Sequence, residues 1–228
     1  VSHKNITVMD FVDVEPQLKP WIEQGVNFVK NKVTEENIHT LLPQHLSPGD
    51  ILIDLAWNID CCAILDWCHN HGVRYLNTSV EVWDPYEGGH SIPPQDRTLY
   101  VRHMRLREMK SKWTKTGATA IVEHGANPGL VSHLVKKSLV DIATRALKDG
   151  KATNGVEAAL TDENYNSLSH LLGVKVIHIA ERDTQVSDKP KLLNEFVNTW
   201  SVEGLYEEGV APAELGWGTH EKKLPPLA

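Results

Sequence analysis

The sequence predicts an α/β fold: a parallel sheet over residues 1–150, then part of an α+β domain over residues 151–228. Three observations predict it. Residues 51–56 (ILIDLA) form an apolar run, interrupted once by an acid, of the kind a central parallel strand needs. Short strand patterns alternate with helical ones from Asn5 to Gly150, and the period changes after that. Residues 121–133 (IVEHGANPGLVSH) pass from a strand end through two glycines into an amphipathic helix, the place where open α/β sheets bind ligands.

Taken in order, residues 5–9 (NITVM) read as a strand closing in Asp10. An acid closing the second strand of a dinucleotide fold accepts hydrogen bonds from the adenosine ribose and repels a 2′-phosphate, which makes Asp10 a cofactor-binding candidate. An aspartate after a strand is also an ordinary turn former. The glycine-rich turn G-x-G-x-x-G that precedes such a strand is missing from this chain. The expected sheet is therefore Rossmann-like but lacks its first strand and glycine loop, as in a fragment of a longer protein. Residues 25–29 (GVNFV) are a second short strand. Thr34 caps an amphipathic helix with Glu35 and Glu36 in its first turn, and Pro43 stops it.

A Pro48-Gly49-Asp50 turn feeds the ILIDLA strand, whose end places Leu55 and Ala56 at the cofactor edge. A helix over residues 59–70 follows and terminates at Gly72. Cys61, Cys62 and Cys68 lie on it without the spacing of a zinc finger, so they read as core cysteines in a reducing compartment. Residues 73–77 (VRYLN) are the next strand. It opens into a loop, Thr78-Ser79-Val80-Glu81-Val82-Trp83-Asp84-Pro85-Tyr86, in which Glu81 is flanked by apolar residues and so expected to be partly buried. Residues 96–113 form a basic helix, read as a solvated face, and residues 117–122 (GATAIV) the last parallel strand. Asn127 is then expected as a helix N-cap and Pro128 as the first helical residue, with Leu130, Leu134, Val135, Leu139 and Ile142 at helical spacing.

Beyond Gly150, residues 174–180 (VKVIHIA) alternate as a strand does and lead into Glu181. Residues 196–202 (FVNTWSV) read as another strand carrying Trp200, and residues 204–209 as a turn-rich acidic segment holding Glu208. The formal charge of −7 argues against nonspecific nucleic-acid binding. No apolar run is long enough to span a bilayer, and a cytoplasmic protein is expected.

Five segments carry a resemblance: NTSVEVWDPY at 77–86, EHGANPGLVSH at 123–133, IHIAERDTQ at 177–185, NTWSVEG at 198–204 and GWGTHEKKLP at 216–225. They resemble the bacterial homospermidine synthases, relatives of the saccharopine dehydrogenases. The resemblance implies an enzyme holding NAD tightly, which joins two putrescines with release of ammonia and also takes spermidine as donor of the aminobutyl group. It implies a homodimer, catalytic roles for Glu81, Asn127, Glu181, Trp200 and Glu208, and cofactor contacts from Asp10, Leu55, Ala56, Thr78, Ser79 and Pro128. No metal is implied.

The residue types suit that chemistry. A diamine is a dication, so its pocket calls for carboxylates and aromatic faces. Trp200 can hold an ammonium or iminium over its ring for roughly 0.5–2 kcal/mol. Carboxylates raise the pKa of a neighbouring ammonium, yet the reacting amine must lose its proton before hydride leaves. One acid, assigned to Glu208, therefore takes the proton, while Glu81 and Glu181 grip the far end. An oxidoreductase acting on an amino acid would instead need inward arginine or lysine for the α-carboxylate, and Arg182 is the main candidate here. A noncatalytic NAD-binding module leaves the acids without a task. Ser132 and His133 are no hydrolase pair, since helix neighbours point about 100° apart.

Overall fold

The computed structural model describes residues 1–85, 87–88, 91–197 and 202–210, apart from the side chains of Pro94, Glu203, Glu207 and Glu208. The chain divides into two compact units. One comprises Val1–Pro85 with Glu108–Glu181, the other Tyr86–Arg107 with Arg182–Ala228.

The first unit carries two parallel sheets. Strand β1 (Thr7–Asp10) pairs with β2 (Asn27–Lys30), from Thr7 beside Asn27 to Asp10 beside Lys30. The connection contains helix α1 (Lys19–Glu23), as a parallel pair requires a crossover. In the second sheet β3 (Ile51–Asp54) pairs with β4 (Arg74–Asn77), and β4 with β5 (Ala120–Ile121). In a doubly wound sheet the second and third strands lie on one side of the first, and the fourth to sixth on the other. Here β1–β2 and β3–β4–β5 form two separate sheets, each with its strands in chain order.

The expected helix after Thr34 shrinks to one turn, α2 (Ile38–Leu41), running into a 3-10 turn at Leu42–Gln44 that contains Pro43. Thr34 does not act as its cap: its backbone N–H donates to Asn37 Oδ1 at 2.9 Å. A Thr-to-Asn turn occupies the first bonds, and Pro43 has no N–H to prolong the α-helix. Helix α3 (Cys61–His71) starts two residues later than expected, at an Asp60 cap, and ends at Gly72 as expected. Asp60 Oδ1 accepts from the Ala63 N–H at 2.9 Å, and Gly72 closes the helix in the left-handed region at φ 70°.

One face of α3 is buried through Cys61, Ile64, Leu65, Trp67 and Cys68, against Val73 and Tyr75 of the β4 segment. Two of the cysteines are thus core residues, as the sequence suggests. Helix α4 (Leu99–Ser111) is shorter than its basic pattern, and Trp113 beyond it stacks on His69 at 3.7 Å. Helices α5 (Leu130–Lys148), α6 (Val156–Thr161) and α7 (Tyr165–Leu171) close around Leu139, Ala143, Val156, Ala159 and Leu168. Each large apolar side chain buried there contributes about 1.5–3 kcal/mol.

The later part differs from expectation. Residues 174–180 form no strand, and Val176, Ile177 and Ile179 are exposed. Alternation alone does not make a strand without a partner edge to pair with. The expected strand at 196–202 falls partly outside the described residues, with Trp200 among those not described. Its last residue instead opens helix α8 (Val202–Val210), which replaces the expected turn at 204–209. Val202, Leu205, Tyr206 and Val210 recur at helical spacing, and that period outweighs the roughly 1 kcal/mol that each interior glycine costs.

Candidate active site

Because β3, β4 and β5 are adjacent and parallel, their carboxyl ends lie side by side. That brings Leu55 and Ala56 after β3, Thr78, Ser79 and Glu81 after β4, and Asn127 and Pro128 after β5 to one sheet edge. Each position has its own anchor. Asp54 Oδ1 accepts from the Ala56 N–H at 3.0 Å, turning the chain at the strand end and leaving Leu55 71% exposed. The Cys61 N–H donates to the Glu81 carbonyl at 3.1 Å, tying the β4 loop to the start of α3. Val80 is buried between Ser79 and Glu81, while Ser79 Oγ donates to Glu81 Oε1 at 2.6 Å. Glu81 is half-buried, as its apolar neighbours suggest.

The β5 loop closes on itself. The Gly125 N–H donates to the Pro128 carbonyl at 2.8 Å, and the Leu130 N–H to the Gly125 carbonyl at 2.8 Å. Gly129 sits at φ 126°, and a Cβ there would stand 2.4 Å from the Gly125 carbonyl oxygen, so only glycine fits. This turn changes the role of Asn127. The N-cap is Gly129, with no side-chain cap, and Leu130 is the first helical residue. Asn127 and Pro128, joined by a cis peptide, precede the helix and are exposed. The glycine turn consumes the residues a cap box would use, so the Asn127 amide is not committed to the helix.

Beneath this edge lies a buried polar group that the sequence reading did not single out. Tyr75 Oη donates to Asp54 Oδ2 at 2.8 Å. Asn77 Nδ2 donates to Tyr75 Oη at 3.0 Å and to Cys61 Sγ at 3.2 Å. Burial raises the Asp54 carboxyl above its usual range and the negative Glu81 adds to the rise, while the Tyr75 hydroxyl and Ala56 N–H oppose it. Burial likewise pushes the Cys61 thiol up to about 12, which keeps it un-ionised. The available signal was the acid interrupting ILIDLA, together with Tyr75 and Asn77 falling on one face of an alternating strand.

The remaining candidates are placed less closely. Asp10 ends β1 in the other sheet and accepts from the Val12 N–H at 3.2 Å, a local turn contact. Glu181 is exposed in an irregular segment. Glu208 lies in α8, its side chain outside the described residues, as is Trp200. Among the described residues no cluster of three His, Cys, Asp or Glu is arranged to hold a metal, and no helix is long and apolar enough to cross a membrane.

Comparison with known proteins places this geometry in a lineage. Residues 1–121 match the saccharopine dehydrogenase NADP binding domain, and residues 125–228 the saccharopine dehydrogenase C-terminal domain. The chain is 40% identical over 225 residues to a homospermidine synthase of Mesorhizobium japonicum, covering 96% of this chain and 44% of that protein. It is 38% identical over 206 residues to a homospermidine synthase of Blastochloris viridis, covering 89% and 42%. A crystal structure of the homospermidine synthase of Legionella pneumophila in complex with NAD superposes with a TM-score of 0.67 at 33% identity, over 99% of this chain and 45% of that one. The chain thus spans less than half the length of the relatives it matches. With more than half of its residues matched by the first of these domain models, the chain belongs to the saccharopine dehydrogenase NADP-binding-domain family.

Proposed function

We propose that this chain is part of a homospermidine synthase, contributing the nicotinamide edge of an NAD site and the adjoining acids of a polyamine pocket. The observation that carries the reading is the 40% identity to a synthase of that name across 96% of the chain. It is supported by an acid, Glu81, oriented by Ser79 at the carboxyl edge of the parallel sheet. Two putrescines are joined through one nitrogen and ammonia leaves; spermidine serves as an alternative aminobutyl donor.

NAD, when bound, supplies the acceptor that takes a hydride from the amine-bearing carbon and returns it to the newly formed imine. The edge residues fit such a group. Leu55 and Ala56 offer an exposed apolar surface at the β3 end. Gly125 brings backbone against Thr78, since a Cβ there would lie 3.4 Å from Thr78 Cβ. Thr78, Ser79 and Pro128 hold the nicotinamide side and Asp10 the adenosine ribose. The described residues offer these contacts rather than a pyrophosphate cradle.

The resemblance assigns the distal ammonium to Glu81 and Glu181, the iminium to Trp200, and the proton of the reacting amine to Glu208. The Asn127 amide, released from capping, bonds the substrate amine or the nicotinamide. The domain reading goes with this assignment: residues 1–150 bind the cofactor and residues 151–228 begin the substrate and dimerisation part of a cytoplasmic homodimer.

The test uses the full-length polypeptide with putrescine and NAD, followed by separation of the polyamines. Homospermidine with ammonia and no net NADH is expected. Stoichiometric NADH with a free aldehyde or an amino-acid product would establish an ordinary dehydrogenase instead. NAD binding without any reaction would establish a noncatalytic module.

A further inference from the structure

We infer that Asn77 is a positioning residue, whose buried side chain sets the attitude of the 123–129 loop over the sheet edge. Asn77 is 1% exposed at the carboxyl end of β4. Its Oδ1 accepts from the Glu123 N–H at 2.8 Å, and its carbonyl accepts from the His124 N–H at 2.9 Å. Two consecutive amides of the loop are thus bound to one residue of the neighbouring strand, just where β5 ends.

The clamp is needed at that point. Glu123 has φ 55°, a left-handed conformation that a residue with a side chain rarely adopts and that surrounding bonds must hold. The turn continues through Gly125 and Pro128, so a rotation at Glu123 would carry Asn127 and Pro128 with it.

The orientation of the Asn77 amide is itself fixed. Nδ2 faces two acceptors, Tyr75 Oη and Cys61 Sγ, while Oδ1 faces a donor, so the flipped amide would set donor against donor. Tyr75 accepts from Asn77 because its own hydroxyl proton goes to Asp54. The series Asp54, Tyr75, Asn77, Glu123 links the end of β3 to the loop after β5, below the candidate site and without entering it.

The positioning role rests on the homospermidine synthase reading, because its consequence is felt by Asn127 and Pro128. The experiment uses the full-length enzyme with NAD, comparing wild type, Asn77→Ala and Tyr75→Phe. Residue-resolved amide exchange at Glu123 and His124 is read alongside kcat and KM for putrescine. Asn77→Ala is expected to exchange the Glu123 amide at least about tenfold faster and to lower kcat about tenfold, with KM changed less than about twofold. Tyr75→Phe is expected to move the same readouts in the same direction by less, and it decides the matter if Asn77→Ala does not fold. Unchanged exchange at Glu123, or a kcat that falls only with the folded fraction, would overturn the assignment. A wild-type enzyme that makes no homospermidine overturns the proposed reaction instead, and the exchange rates still decide the positioning role.

Discussion

The Ser79 hydroxyl donates to Glu81 Oε1 at 2.6 Å across the buried Val80, so the loop after β4 orients its own carboxylate at the sheet edge. That contact separates two substitutions. Glu81→Gln removes the charge that holds the distal ammonium and is expected chiefly to raise KM for putrescine, by about tenfold or more, with turnover changed less. Ser79→Ala keeps the Glu81 charge but removes its orienting bond and the hydroxyl offered to the nicotinamide side, and a loss of about tenfold or less in kcat/KM is expected in the same homospermidine assay.

Asn127 offers a cleaner division between stability and chemistry. An asparagine capping a helix costs about 1 kcal/mol on replacement by alanine. Here the N-cap is Gly129, so Asn127→Ala is expected to leave thermal stability within about 0.5 kcal/mol of wild type. Turnover should nevertheless fall at least about tenfold if its amide meets substrate or nicotinamide. Calorimetry and the polyamine assay on the same preparation check both.

Asp54 should make the pH dependence of stability run against the usual carboxylate trend. Its folded pKa is raised, chiefly by burial. The folded state therefore binds its proton more tightly than the unfolded state does. Its contribution is fully present below the unfolded pKa and is lost as pH rises through the raised folded value. Relative to Asp54→Asn, the wild type should lose stability over that acidic window. Paired melting curves from acid to neutral pH measure it. Glu81→Gln should also lower the Asp54 pKa, since the nearby Glu81 charge disfavours ionisation of Asp54, and an NMR titration of the carboxyl carbon would report this.

Gly117 is fixed by shape. A Cβ at this position would stand 2.0 Å from His69 Nδ1, in a ring stacked on Trp113 at 3.7 Å and 4°. Trp113 Nε1 also donates to Asp66 Oδ1 at 2.8 Å, so the ring cannot simply slide away. Gly117→Ala is expected to cost about 1–3 kcal/mol by overpacking, read from urea unfolding.

The sequence by itself determined the order of the five strands, the stop at Gly72, the core role of Cys61 and Cys68, and the gathering of three loops at one edge, but not the short helix α1 between the first two strands. These follow from local properties: apolar period, turn chemistry, and the rule that adjacent parallel strands end together. Tertiary structure alone decided which polar groups meet. Asp54, Tyr75 and Asn77 are brought together by the β3–β4 register, which sets Asp54 beside Asn77, and no local period encodes a register. It also decided that Gly129 rather than Asn127 starts the helix, because the loop closes through a Gly125–Pro128 bond before any cap can form. Residues 174–180 failed as a strand for the converse reason. Their alternation states a preference for an extended chain, and only a neighbouring edge turns that preference into a sheet.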